Sequence, residues 1–268
     1  MMNKSYLMAV AAALTIPYVI NLVTPGSMPS EAISAVAYIA IISIAAASFH
    51  RAVGVSGWGF RDRLMRAFSA MTIGLAFWVV AQVAEVVYSL VAGVERPYPS
   101  QIDVMWVLGE ILIILGLWSY ARSFEILWRE MSEGLKRLTL LIALAIFFAV
   151  TAASLAIVNP FRLVGVDLLE AAMGIIYTIL DSILLSLAIL NLLLFQRGIL
   201  GRVWGLISGG VAIGMLSDLS FLKGSIEGWH YSGHPVEILA IWGFTLVALG
   251  ANLYAETFKL AGTTPRTS

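Results

Sequence analysis

The sequence predicts an all-α fold: a polytopic membrane helical bundle of eight transmembrane helices, built as two tandem four-helix units. Three observations predict it. The 268 residues are 60% hydrophobic and only 12% charged, with a mean hydropathy of +0.92. A soluble domain of this size runs near half apolar and about a quarter charged. Apolar stretches long enough to cross roughly 30 Å of hydrocarbon recur along the whole chain, and the second half echoes the first at a nearly fixed offset.

In chain order the expected spans are 5–24, 31–50, 68–93, 102–124, 137–158, 168–195, 203–222 and 236–258. Turn residues separate them: Thr24-Pro25-Gly26-Ser27, Pro97 to Ser100, Asn159-Pro160, and Gly233 to Pro235. The first span, with Lys4 and a short apolar run, could pass for a signal peptide. Its counterpart in the second half is a full span, so it is kept as a helix. The remaining loops are short, apart from an expected loop at 51–66.

Charge sets the expected orientation. With the N-terminus inside, thirteen Lys and Arg fall in inner segments and three (Arg96, Arg162 and Lys223) in outer ones. That positive-inside bias predicts a cell-membrane protein with both termini cytoplasmic. Net charge is zero and no long basic run exists, so nucleic acid is not an expected partner. The absence of cysteine excludes disulfides, thiolate metal sites and cysteine nucleophiles.

Internal similarity divides the chain at 1–132 and 133–268. An offset of 134 pairs Asp103 with Glu237, Gly109 with Gly243, Gly116 with Gly250 and Tyr120 with Tyr254. An offset of 139 pairs Glu31 with Glu170, Tyr38 with Tyr177 and Ser43 with Ser182. An offset of 133 pairs Glu85 with Asp218 and Tyr88 with Phe221. Four spans per unit leave both units in the same orientation, the parallel-repeat case.

Acids inside apolar spans are costly and mark candidate sites. Candidate ligand- or cation-binding residues are Glu85, Asp103, Glu110, Asp181, Asp218 and Glu237, with Tyr38, Tyr177 and Trp106 beside them. Helical spacing aligns Asp103, Trp106 and Glu110 on one face, and Glu170, Tyr177 and Asp181 on another. The bland alternative is that Glu31, Asp103, Asp167 and Glu237 cap helix starts, that the aromatics form interfacial belts and that the glycines serve packing. Glu110 and Asp181 stand out because their counterparts, Phe244 and Ile42 or Ser43, carry no charge.

His230 and His234, with three residues between them, form a candidate metal pair if their loop is helical. His50 at the far end of its span is too distant to join them, which argues against an intramembrane zinc hydrolase and against bis-histidine haem. No Walker loop, dinucleotide fingerprint, HExxH or nucleophile elbow occurs. No lysine lies inside the last span to hold retinal. No nucleotide, haem or retinal is therefore expected; a bound cation is the cofactor the acids would suit. Without a nucleophile–base set, no enzymatic activity is expected.

At Tyr98-Pro99-Ser100-x-x-Asp103-x-x-Trp106-x-x-Gly109 the sequence resembles the multi-span N-terminal membrane sensor modules of prokaryotic diguanylate cyclases and histidine kinases. Glu85-x-x-Tyr88 and Asp218-x-x-Phe221 are similar too. The second half departs from the pattern, with Glu237 for the Asp and Ala240 for the Trp. The resemblance implies a ligand-sensing or binding module with an acidic, outward-facing intramembrane pocket. Since no output domain follows, signalling would pass through a cytoplasmic partner. Two alternatives stay open. One is a proton- or cation-coupled secondary transporter. The other is a structural subunit of a larger membrane complex.

Overall fold

The computed structural model describes residues 4–22, 28–57, 59–61, 63–92, 99–123, 125–158, 168–195, 198–231 and 233–263. The turns at 24–27 and 159–160, Pro97, Tyr98, Asp167 and Ser232 lie outside that description, as does the side chain of Glu31. The helices are α1 (Lys4–Ile20), α2 (Met28–Ser56), α3 (Arg63–Ala92), α4 (Gln101–Ser123), α5 (Glu125–Glu130), α6 (Glu133–Val158), α7 (Leu168–Leu194), α8 (Gly198–Glu227) and α9 (Ile238–Thr263). A single 3-10 turn, Pro235–Glu237, leads into α9. No strand occurs among the described residues.

Seven helices (α2, α3, α4, α6, α7, α8 and α9) are long and apolar enough to cross a membrane, so the chain is a multi-pass membrane protein in contact with lipid. The expected span at 5–24 is the exception. It forms α1, a 17-residue helix with Pro17 inside it, shorter than the other seven. Large apolar side chains face outward, among them Val80, Val83 and Val87 on α3 and Leu138, Leu141, Leu144 and Phe148 on α6. In water such a surface would be a liability; against lipid it is neutral.

The helices run further than hydropathy indicated. α2 continues through Ser56 because Ala52 and Val53 are completely buried in the core with Phe49. It stops at Gly57, whose φ of 91° is a left-handed helix end and whose N–H bonds Val53 O. The expected loop at 51–66 therefore shrinks to residues 57–62. α8 likewise begins at Gly198 rather than 203, so that Val203 and Trp204 enter the core.

The tightest pairings are α3 on α4 and α8 on α9, and the two pairs pack alike. A Cβ built on Gly74 would meet Gly109 O at 2.5 Å and Ile113; one on Gly210 would meet Gly243 O at 2.5 Å and Val247. At Gly116 it would meet Met71 and Ala67 O; at Gly250, Ile207 and Val203 O. Only glycine lets two helix backbones approach this closely. In α4 and α9 the matched positions are 134 apart, as the sequence indicated. In α3 and α8 they are 136 apart, not 133. Asp218 therefore matches Gln82 in packing, and Glu85 matches Phe221.

The main contacts that join α1 to α4 to the later helices are α2 with α9, α4 with α7 and α1 with α9. An aromatic knot closes one end of the bundle. Tyr254 lies 4.4 Å from Phe68, Tyr120 lies 4.6 Å from Trp204, and the two tyrosines are 6.4 Å apart between ring centroids. Phe68 and Trp204 are themselves a matched pair 136 apart. Beside the knot, Asn252 Nδ2 donates to Ser48 Oγ at 2.7 Å while its Oδ1 accepts from Arg51 Nη1 at 2.9 Å, tying α9 to α2. At the other end Asn21 bonds Gly233 O at 2.7 Å and Ser34 Oγ at 3.1 Å, joining the end of α1 to α2 and to the approach to α9.

Candidate functional site

Polar groups on α4 and α7 meet where the two helices run side by side. α4 opens on a capping box. Ser100 N–H donates to Asp103 Oδ2 at 2.6 Å, while Ser100 Oγ accepts from Ile102 N–H at 3.2 Å. Ser100 Oγ also donates to Asp103 Oδ2 at 3.2 Å, and Tyr177 of α7 adds a third donor, its hydroxyl reaching Asp103 Oδ1 at 3.0 Å. Asp103 is buried, and its carboxylate is bonded on both oxygens. The capping alternative thus accounts for Asp103 and gives Tyr177 a structural partner.

Two turns further along α4, about 10 Å deeper, the arrangement changes. Glu110 is 3% exposed and its Oε1 has no hydrogen-bond partner. Its carboxyl faces that of Asp181 on α7 within hydrogen-bonding reach, and Asp218 on α8 acts electrostatically on both. Among the described residues, no cation is found in the groups acting on Glu110 or Asp181. Three carboxyls from three helices therefore converge. A carboxylate only accepts hydrogen bonds, so the Glu110–Asp181 contact needs a proton or a cation between them.

Asp218 is exposed, although it does not face outward. Leu216, two residues earlier, is the outward residue of that turn, 55% exposed. At 100° per residue Asp218 lies about 160° away from it. Asp218 thus presents accessible surface on the helix face turned toward Glu110 and Asp181. Gly214, one turn before Asp218, borders open space as well: a Cβ built there meets nothing within 4 Å.

The matched corner of the bundle is filled. Trp78, which matches Gly214, packs against Trp106 at 5.9 Å and Phe244 at 5.8 Å between centroids, and its Nε1–H bonds Trp106 O at 2.9 Å. Tyr38 meets Phe244 edge-on at 5.9 Å, with Ile42 in the same cluster. The counterparts of Trp78, Trp106, Phe244 and Ile42 are Gly214, Ala240, Glu110 and Asp181. One corner is an aromatic plug; the other is acidic and partly open.

Of the remaining candidate residues, Tyr38 lies within electrostatic reach of Asp218, Glu237 and Glu85. Trp106 belongs to the aromatic plug and not to the acidic corner. His230 and His234 are 5.7 Å apart between ring centroids. His230 Nε2 lies 3.2 Å from Glu237 Oε1, without an aligned hydrogen bond. His234 is engaged otherwise: its Nδ1 accepts from Val236 N–H at 3.1 Å and caps the 3-10 turn. Burial and the neighbouring His230 hold its imidazole below the ordinary range. Among the described residues no group of three or more His, Asp or Glu is placed to hold a metal ion. An apolar groove between α3 and α4, lined by Thr72, Ile73, Ala76, Phe77, Val80 and Met105, carries almost no polar surface.

The sequence singled out Glu110, Asp181 and Asp218, but not Gly214, which opens the corner they face. Its signal was a lone small residue within a Gly-rich helix, legible only against Trp78 once the 136-residue register is known. Comparison of the chain with protein-family models, curated proteins and solved structures gave no match.

Proposed function

We propose that this chain is an integral membrane binding module whose site is the acidic corner formed by Glu110, Asp181 and Asp218, and whose ligand is cationic. The observation that carries this is the meeting of three carboxyls from α4, α7 and α8 with no cation, among the described residues, in the groups acting on Glu110 or Asp181. Buried charge of one sign without a partner is costly, and intramembrane acids persist where they have a task.

Two tandem four-helix units are the arrangement that best fits the like packing of α3–α4 and α8–α9 and the contacts α2–α9 and α4–α7. In that arrangement the site lies between the units. The positive-inside bias places both termini in the cytoplasm and opens the site toward the outer face. The resemblance to prokaryotic membrane sensor modules favours sensing, with the signal passed to a cytoplasmic partner.

Thermal unfolding of the purified protein, screened against inorganic cations and amines at several pH values, tests this. Ligand-dependent stabilisation that disappears in both Glu110→Gln and Asp181→Asn is the expected result. No shift with any cation or amine removes the proposal. A site between two units also suits cation-coupled transport. Uptake into proteoliposomes that Asp181→Asn abolishes would favour transport over sensing.

A further inference from the structure

The acidic corner differs from its filled counterpart in volume as well as in charge. Where Trp78, Trp106 and Phe244 stack, Gly214, Ala240 and Glu110 stand. The helices do not close to take up the lost volume. A Cβ on Gly109 would lie 2.8 Å from Gly74 O, and one on Gly243 would lie 2.9 Å from Gly210 O, so the two pairs are equally close at this level. Gly214 faces open space, and Asp218, on the same inward face one turn later, is exposed. The unpartnered Oε1 of the buried Glu110 occupies the position from which Phe244 touches the Trp78 indole in the filled corner.

A bare inorganic cation would need the carboxyls but not the missing indoles. We infer that the site takes an organic cation with a flat aromatic body: a ring seated beside Gly214, where the matched corner holds Trp78, and an ammonium or amidinium group bonded by Glu110, Asp181 and Asp218. This deepens the proposed function and rests on its reading of the acidic corner. The ring gains apolar burial, and the cation gains charge-assisted hydrogen bonds in a site shielded from water.

The test measures dissociation constants of tryptamine and methylamine for the full chain in nanodiscs, by calorimetry, with sodium as the inorganic control. Tryptamine binds the wild type at least tenfold more tightly than methylamine. Gly214→Trp, which copies the filled corner, weakens tryptamine at least tenfold and leaves methylamine within about twofold; Glu110→Gln weakens both. If Gly214→Trp does not fold, Gly214→Leu takes its place, and the wild-type preference for tryptamine decides alone if neither folds. Equal binding of the two amines, or tryptamine binding untouched by a folded Gly214→Trp, overturns the inference. If methylamine or sodium binds and tryptamine gains nothing, the acidic site stands and only its aromatic compartment falls. If none of the three binds, this inference falls together with the reading it rests on.

Discussion

Replacing Gly243 with alanine tests the packing that positions everything else. The added methyl carbon would sit 2.9 Å from Gly210 O, 3.0 Å from Gly214 N and 3.2 Å from Gly214 Cα. Carbon contacts are comfortable at about 3.5–4.0 Å. All three neighbours are backbone atoms of α8, so no side chain can rotate away, and α8 and α9 must separate by several tenths of an ångström. Overpacking of this kind costs about 1–3 kcal/mol. Alanine returns up to about 1 kcal/mol through its better helix propensity. The expected net loss is about 1–2 kcal/mol. Gly174→Ala in α7 is the control, since its Cβ meets nothing within 4 Å; there only the propensity gain operates, and stability rises or holds. Reversible unfolding in mixed SDS–dodecylmaltoside micelles, followed by tryptophan fluorescence, separates the two. Gly243→Ala equal to or more stable than Gly174→Ala would refute the close approach of α8 and α9.

Three other outcomes are expected. Asn252→Leu removes the acceptor of Arg51 Nη1 and the donor to Ser48 Oγ, which keeps only its bond to Ile44 O, and lowers unfolding stability by about 1–2 kcal/mol in the same micelle assay. Tyr177→Phe removes one donor from Asp103 but leaves Ser100 N–H and Oγ, so it lowers stability by only about 1 kcal/mol; a loss above about 3 kcal/mol would mean that Tyr177 holds more than the helix cap. His234 is held neutral by burial and by His230, and its Nδ1 accepts from Val236 N–H. Its folded pKa is therefore below its unfolded one. Its contribution is fully present above about pH 6.5, the ordinary imidazole value, and is lost as pH falls through the folded pKa. The unfolding midpoint should drop between pH 7 and pH 5, and His234→Asn, which caps without titrating, should flatten that drop.

The membrane class was legible because it depends on summed hydropathy, which individual residues cannot disguise. Helix ends were less so. Ala52 and Val53 belong to the helix only because they meet the core from beyond Arg51, a tertiary fact invisible to a hydropathy window. In the site, Glu110 and Asp181 were legible as deep charges without charged counterparts. The register of α3 against α8 was not. Matching acid with acid paired Glu85 with Asp218, whereas the backbone approach at Gly74 and Gly210 fixes the match three residues away. Residue type suggested one alignment and close packing enforces another, since a backbone approach that leaves a Cβ only 2.5 Å from the facing carbonyl tolerates no slip and an acid with accessible surface tolerates several.

The corrected register changes what the acids mean. With Glu85 against Asp218, the two corners would carry like charges, and interhelical glue would explain both. With Gln82 against Asp218, Ile42 against Asp181 and Phe244 against Glu110, the three acids that act on one another have no acidic counterparts. Glue has no reason to be so lopsided when the packing around it is so alike. Aromatic pairs contribute about 0.5–1.5 kcal/mol each beyond their burial, and Trp78, Trp106 and Phe244 supply two such pairs in the filled corner. The acidic corner forgoes them and adds the cost of burying Glu110 beside Asp181. A corner that gives up stability its counterpart keeps, on the same helix spacing, is the place where a ligand has something to contribute.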